Sequence, residues 1–239
     1  MPTPGMITLF GCAAAGALVS TGLGAVSPAA AADADHPVVI ELFQSQACSS
    51  CPPANATLNA IADQPDVLAL SFAVTYWDRL GWKDRFAQPA FTDRQWDYSR
   101  GGGRSNVSTP QMIVNGRGVL VGDRRDELLD VARRFDRGRS GPQLSVSPGQ
   151  IIIGAAPTRR SGAVWLVSYD PRVRSVSIRA GENNGRTLPH RNIVVALRKV
   201  GTWSGKPTNI RITVAPLPLR SAILVQDGTG GAILAARRL

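Results

Sequence analysis

Cys48-Ser49-Ser50-Cys51 is the motif in this sequence whose residue types and spacing offer reaction chemistry. Two thiols three positions apart can close a disulfide or exchange it with a partner, and the thiolate is the attacking species in that exchange. A bridge between them closes a four-residue ring, for which loop entropy gives only about 1.9 kcal/mol, against about 3 for a fifteen-residue loop. Its value is therefore chemical rather than mechanical. Zinc would need two further ligands, yet with Cys12 removed in a cleaved leader only His36 and His190 remain beside these cysteines, in different halves of the chain. No metal and no cofactor are expected.

The elements around the motif would position it. Val38-Val39-Ile40-Glu41-Leu42-Phe43 reads as a strand covered on both faces, and Pro52-Pro53 open a helix through Ala54, Leu58 and Ile61. Cys48 then lies near a helix N-terminus, where free amides and the helix dipole favour a thiolate. Cys48 is the candidate nucleophile and Cys51, about one turn further in, the resolving thiol. Val67 to Val74 reads as a second buried strand, parallel to the first. Pro89 to Ser99 follows as a helix, then a hairpin of Gln111 to Val114 and Val119 to Val121 about Asn115-Gly116, then a helix from Arg124 to Phe135. From Gly141 onward short strand patterns recur, with Ile210-Arg211-Ile212-Thr213-Val214 alternating cleanly. A β-sandwich is the expected form of that half.

The order of strand, Cys-x-x-Cys, helix, then Thr109-Pro110 before a hairpin and a last helix resembles the thioredoxin fold. That resemblance implies that Pro110 is cis and that the backbone beside it, at Thr109, faces the sulfurs and pairs with substrate. It also implies a role for Glu41, since an acidic residue in an apolar strand is costly without a partner. Glu41 would take the proton from Cys51, or it would be a strand-end carboxylate reaching solvent. Tyr76, Trp77 and Trp82 follow the second strand and would line an apolar groove for a peptide, or form a satellite core over the sheet.

A closer resemblance is to a bacterial secreted, thioredoxin-like family catalogued as domain of unknown function 1223. It is carried by Glu41-Leu42-Phe43, Ser45 to Pro53, Tyr76-Trp77-Asp78-Arg79-Leu80-Gly81-Trp82-Lys83-Asp84, Thr109 to Gly116, and Gly181-Glu182-Asn183-Asn184-Gly185-Arg186-Thr187-Leu188. The family implies a fold and export, and supplies no activity. Ser49-Ser50 between the cysteines and Ala47 before them depart from thioredoxin itself.

The expected fold class is an α/β thioredoxin-like N-terminal domain followed by a mostly β, sandwich-like C-terminal domain. Residues 1–32 hold no charged side chain and end in Ala30-Ala31-Ala32, which reads as a secretory signal cleaved before Asp33. A retained single anchor and a lipoprotein leader using Cys12 are the competing readings. The thioredoxin-like domain would span 33–140 and the β-rich domain 141–239.

Composition narrows the partners. Hydrophobic residues make up 44% of the 239, which excludes a disordered chain. The net charge of +10 is unevenly placed: 33–140 has 13 Lys and Arg against 14 Asp and Glu, and 141–239 has 14 against 3. In an exported protein that basic half points to an anionic envelope component rather than nucleic acid, or serves solubility alone. The expected function is an exported, periplasmic or secreted thiol-disulfide oxidoreductase acting on protein thiols or disulfides, not integral to the membrane once the signal is cleaved. The alternative is a non-catalytic binding module whose basic half docks and whose cysteines form a local clip.

Overall fold

Seven consecutive buried residues form strand β1 (Val38–Gln44), and seven more form β2 (Val67–Ala73). The two run parallel, with Val38 opposite Val67 and Gln44 opposite Ala73. Helix α1 (Cys51–Ile61) joins them, with prolines in its first turn, where no amide partner is needed. The computed structural model describes residues 1–3, 31–158 and 161–239. The leader readings and Cys12 fall almost wholly on residues 4–30, outside the described residues.

After helix α2 (Pro89–Gly101) the chain forms β3 (Gln111–Val114), β4 (Gly118–Leu120) and helix α3 (Arg125–Arg134). The hairpin turns at Asn115 and Gly116, both left-handed, as the Asn-Gly signal requires. The Thr109-Pro110 peptide is cis. The remaining strands are β5 (Leu144–Ser147), β6 (Gln150–Ile153), β7 (Gly162–Asp170), β8 (Arg174–Ser177), β9 (Thr187–His190), β10 (Ile193–Trp203), β11 (Thr208–Arg211), β12 (Arg220–Asp227) and β13 (Ile233–Arg238).

The expectation of an α/β thioredoxin-like domain followed by a separate sandwich-like one is overturned. Among the described residues the protein is mostly β, with thirteen strands and three α-helices, and one mixed sheet of eight strands runs through both halves in the order β13-β12-β7-β10-β2-β1-β3-β4. The halves join where Ile193 pairs with Ser71, Ser71 N donates to Asn192 O at 2.9 Å and Asn192 Nδ2 donates to Ala69 O at 2.9 Å. Apolar periodicity marks which residues form strands but not which strands pair. The open edge of β2 is satisfied by β10 rather than left exposed.

Alternation along the strands defines two faces. Ile40 and Leu42 pack with Ala54, Leu58 and Ile61 of α1 and Leu128 of α3. Val39, Phe43, Leu70 and Phe72 pack on the opposite side with Phe91 and Tyr98 of α2. The three-stranded sheet β11-β6-β5 covers the far half, burying Ile151, Leu166, Trp203 and Ile223 together. Part of the basic charge clasps the two halves: Arg191 pairs with Asp63 at 2.6 Å and Arg237 with Asp35 at 3.0 Å, while Arg238 donates to the carbonyls of Gln64, Pro65 and Val67. The two-stranded ribbon β8-β9 stands outside the large sheet. Its Val176, Ile178 and Leu188 pack on Trp82 and Phe86.

Candidate functional site

The parallel β1 and β2 and the antiparallel β3 bring three connections to one end of the sheet. Val74 N donates to Gln44 O at 2.9 Å and Phe43 lies opposite Gln111, so the loops after Gln44 and Val74 and the Thr109-Pro110 step all meet there. The loop after Gln44 carries the cysteines. Cys48 and Cys51 are joined in a disulfide with Cα atoms 5.4 Å apart. Cys51 opens α1, and its amide donates to Cys48 O at 3.2 Å. Ser50 caps no amide with its side chain; its Oγ lies 3.3 Å from Cys48 Sγ. Ser49 and Ser50 are exposed, yet Cys48 and Cys51 are only 0% and 1% exposed.

The loop that carries the sulfurs is held from the second half of the chain. In the loop between β8 and β9, Asn183 Nδ2 donates to Gln46 O at 2.9 Å and to Cys48 O at 2.8 Å. Glu182 Oε2 accepts from Ser49 N at 3.0 Å and Ser49 Oγ at 2.7 Å. These bonds from the Ser49 hydroxyl and amide hold the Glu182 carboxyl below its ordinary pKa. A carboxylate is well placed there, since α1 begins two residues on and its dipole favours negative charge.

The other side of the cysteine loop rests on Asp84, whose two oxygens accept from Gln46 N and Phe86 N at 2.9 Å each. Burial pushes the Asp84 carboxyl up to about 6, with Asp78 adding to the rise and the two amides opposing it. A carboxyl raised in the fold stabilises it most when protonated, so its contribution is lost as pH climbs from 3.8 to about 6. At 1.36 kcal/mol per pH unit the loss amounts to about 3 kcal/mol. Asp84→Asn, which keeps one acceptor, should therefore be less stable than wild type at pH 4 and should recover most or all of that gap by pH 7. Urea unfolding of both proteins at the two pH values checks this; a gap independent of pH would contradict it.

Glu41 is not brought to Cys51. It projects from the α2 face of β1, whereas α1 lies on the other. Fully buried, it accepts from Arg94 Nε at 2.5 Å, Arg94 Nη2 at 3.0 Å and the Tyr98 hydroxyl at 2.5 Å. A one-residue register difference puts a strand residue on the opposite face, and Glu41 falls on the wrong one for a proton relay. The neutral pair Gln44 and Asn55 occupies the α1 side instead, with Asn55 Nδ2 donating to Gln44 Oε1 at 3.3 Å.

The aromatic candidates separate. Tyr76 and Trp77 line a groove of about 260 Å³ with Arg79, Leu80, Val107 and Thr109. Trp77 Nε1 is itself buried and has no hydrogen-bond partner, and burial pushes the Tyr76 phenol up to about 12. Pro110, next to Thr109 of the groove, is buried. Trp82 lies elsewhere, under the β8-β9 loop, donating from Nε1 to Gln46 Oε1 at 2.9 Å. Among the described residues no group of three or more His, Cys, Asp or Glu is placed to hold a metal ion, and no helix is long and apolar enough to cross a membrane.

Sequence reasoning missed Gln46, Asp84, Glu182 and Asn183 as parts of this site. Three of the stretches that carry the family resemblance contain them, but nothing in their local pattern says that residues 135 positions apart, such as Asn183 and Cys48, meet.

The pattern of the protein family of unknown function DUF1223 matches residues 39–226. The crystal structure of protein AGR_C_4864 from Agrobacterium tumefaciens is similar, at 31% identity and a TM-score of 0.69, over 84% of this chain and 93% of that one. HBP35 of Porphyromonas gingivalis is similar in fold at 10% identity and a TM-score of 0.58, over 86% of this chain and 75% of that one. No curated protein matches the chain.

Proposed function

Taking as premise that the chain belongs to the DUF1223 family, for which no function is assigned, we propose that it is an exported thiol-disulfide oxidoreductase. The observation that carries this reading is a disulfide closing a four-residue ring at the N-terminus of an eleven-residue helix, where it adds little mechanical stability and where a released thiolate is favoured. The cis Pro110 step and the Tyr76 and Trp77 groove lie at the same end of the sheet and give a substrate chain a place to bind.

In this reading a substrate thiolate attacks Cys48 Sγ and breaks the Cys48–Cys51 bond. Cys51 leaves as a thiolate and takes a proton from solvent. A second substrate thiol, on losing its proton, attacks the mixed disulfide and frees Cys48; the substrate dithiol is oxidised and the cysteine pair reduced. The reverse sequence reduces a substrate disulfide. Thr109 and Pro110 orient the substrate backbone. Export to the periplasm or beyond rests on the leader sequence. The basic second half would dock an anionic envelope component, tested by salt-sensitive binding to anionic vesicles.

Oxidative refolding of a reduced, unfolded protein, followed with wild type and with Cys48→Ser, tests the proposal. Catalysis by wild type and none by the variant is expected; equal rates would overturn it. The burial of both sulfurs favours a second reading, a binding module with a local clip, and equal rates would leave that one standing.

A further inference from the structure

We propose that the β8-β9 loop is a strap latched over the disulfide by Glu182, and that a thiol reaches Cys48 only when this latch opens. The inference rests on the exchange reading above for its purpose, but not for its test.

The loop is preformed. Gly181 and Gly185 hold left-handed backbone at its ends, and Asn184 N to Gly181 O and Arg186 N to Asn183 O tighten it at 3.2 and 3.1 Å. It therefore moves as a unit. Its base is the two-stranded ribbon, which shares no ladder with the large sheet and is anchored by Val176, Ile178 and Leu188 on Trp82 and Phe86, by the buried His190 ring against Phe86 and by Asn59 Nδ2 donating to Pro189 O at 3.1 Å. Isolated two-stranded ribbons are marginal in water, and elements with few buried contacts open at low free energy. Two attachments close it over the sulfurs. Asn183, fully buried, donates to the Gln46 and Cys48 carbonyls, with Arg186 Nη1 holding Asn183 Oδ1 at 2.8 Å. Glu182 grips Ser49 from the solvent side. The Ser49 amide and hydroxyl, just before the helix start, form a carboxylate site, and here the chain fills it with its own side chain.

Glu182 is exposed, so Glu182→Gln removes the charge without opening a cavity. Reduction of the disulfide by an excess of dithiothreitol, an uncharged dithiol, gives the readout: its thiolate displaces Cys51 from Cys48, then its second thiolate closes a ring and releases Cys48. Hydrogen bonds to charged groups being the stronger kind, the variant should be reduced roughly three- to tenfold faster, with its melting temperature lowered by no more than a few degrees and the Ser49 amide exchanging faster with solvent. Equal reduction rates and equal Ser49 exchange would overturn the strap. Asn183→Ala adds a second route to opening and should accelerate reduction further. Faster reduction in Glu182→Gln without any oxidative refolding by wild type would keep the strap and remove the oxidoreductase.

Discussion

Replacing Arg94 by Met should destabilise the protein by about 3 to 5 kcal/mol, the usual consequence of stranding one member of a buried ion pair. Arg94 and Glu41 are 3% and 0% exposed, so water cannot replace the lost partner. Arg94 also donates from Nη1 to Gln226 Oε1 at 3.3 Å and from Nη2 to the Tyr98 hydroxyl at 2.9 Å, and its guanidinium stacks 5.0 Å from the Tyr98 ring centre and 5.4 Å from that of Trp165. These contacts tie β1 and α2 of the first half to β7 and β12 of the second. The cost arises from Glu41 rather than from the missing arginine. The double variant Glu41→Leu, Arg94→Met should therefore regain most of the loss, because an apolar pair of similar volume leaves no buried charge. Urea unfolding of the three proteins decides. A loss below about 1 kcal/mol in Arg94→Met would mean that the cluster adds nothing beyond packing.

The second large effect is on pH dependence. Both ring nitrogens of His190 are buried without hydrogen-bond partners, the ring sits edge-on to Phe86 at 6.2 Å, and burial, with the Arg85 charge, lowers its pKa from 6.5 to about 4. A base depressed in the fold stabilises it while neutral, so this contribution is whole above pH 6.5 and is lost as pH falls from 6.5 to about 4. The loss amounts to about 3 kcal/mol at 1.36 kcal/mol per unit. Asp84 acts in the opposite sense across much of the same window, gaining on acidification. Wild-type stability between pH 4 and 6.5 should therefore look flat, and the two terms emerge only in variants. His190→Phe, of similar shape and with no proton to bind, should become more stable relative to wild type as pH falls. A difference that stays constant between pH 7 and pH 4 would contradict a buried, neutral His190.

The contrast between Glu41 and the cysteines explains how much was legible. The strand, helix, strand and hairpin elements around Cys48 and Cys51 follow from apolar runs, first-turn prolines and Asn-Gly, all local signals, and they emerge within one or two residues of their expected bounds. Glu41 was visible as an anomaly, and an unpartnered carboxylate in a strand demands an explanation. Its partner, Arg94, lies 53 residues away on a helix whose face no period-based reading of Glu41 could select. The same limit hid the single sheet: the join of Ile193 to Ser71 is a pairing, and pairing leaves no trace in either strand alone. It also hid the strap. Gly181 to Gly185 is a turn by its glycines, but that it meets the cysteine loop depends on where the ribbon is packed.

In the proposed function the Cys48–Cys51 disulfide exists to be exchanged. Its reduction potential, from equilibration of the whole protein with glutathione buffers of graded ratio, tests this most directly. An exchange-active pair should titrate between about −120 and −270 mV, the span of known oxidant and reductant dithiols. A value below about −300 mV, where structural disulfides fall, would make the bridge a clip and contradict the account.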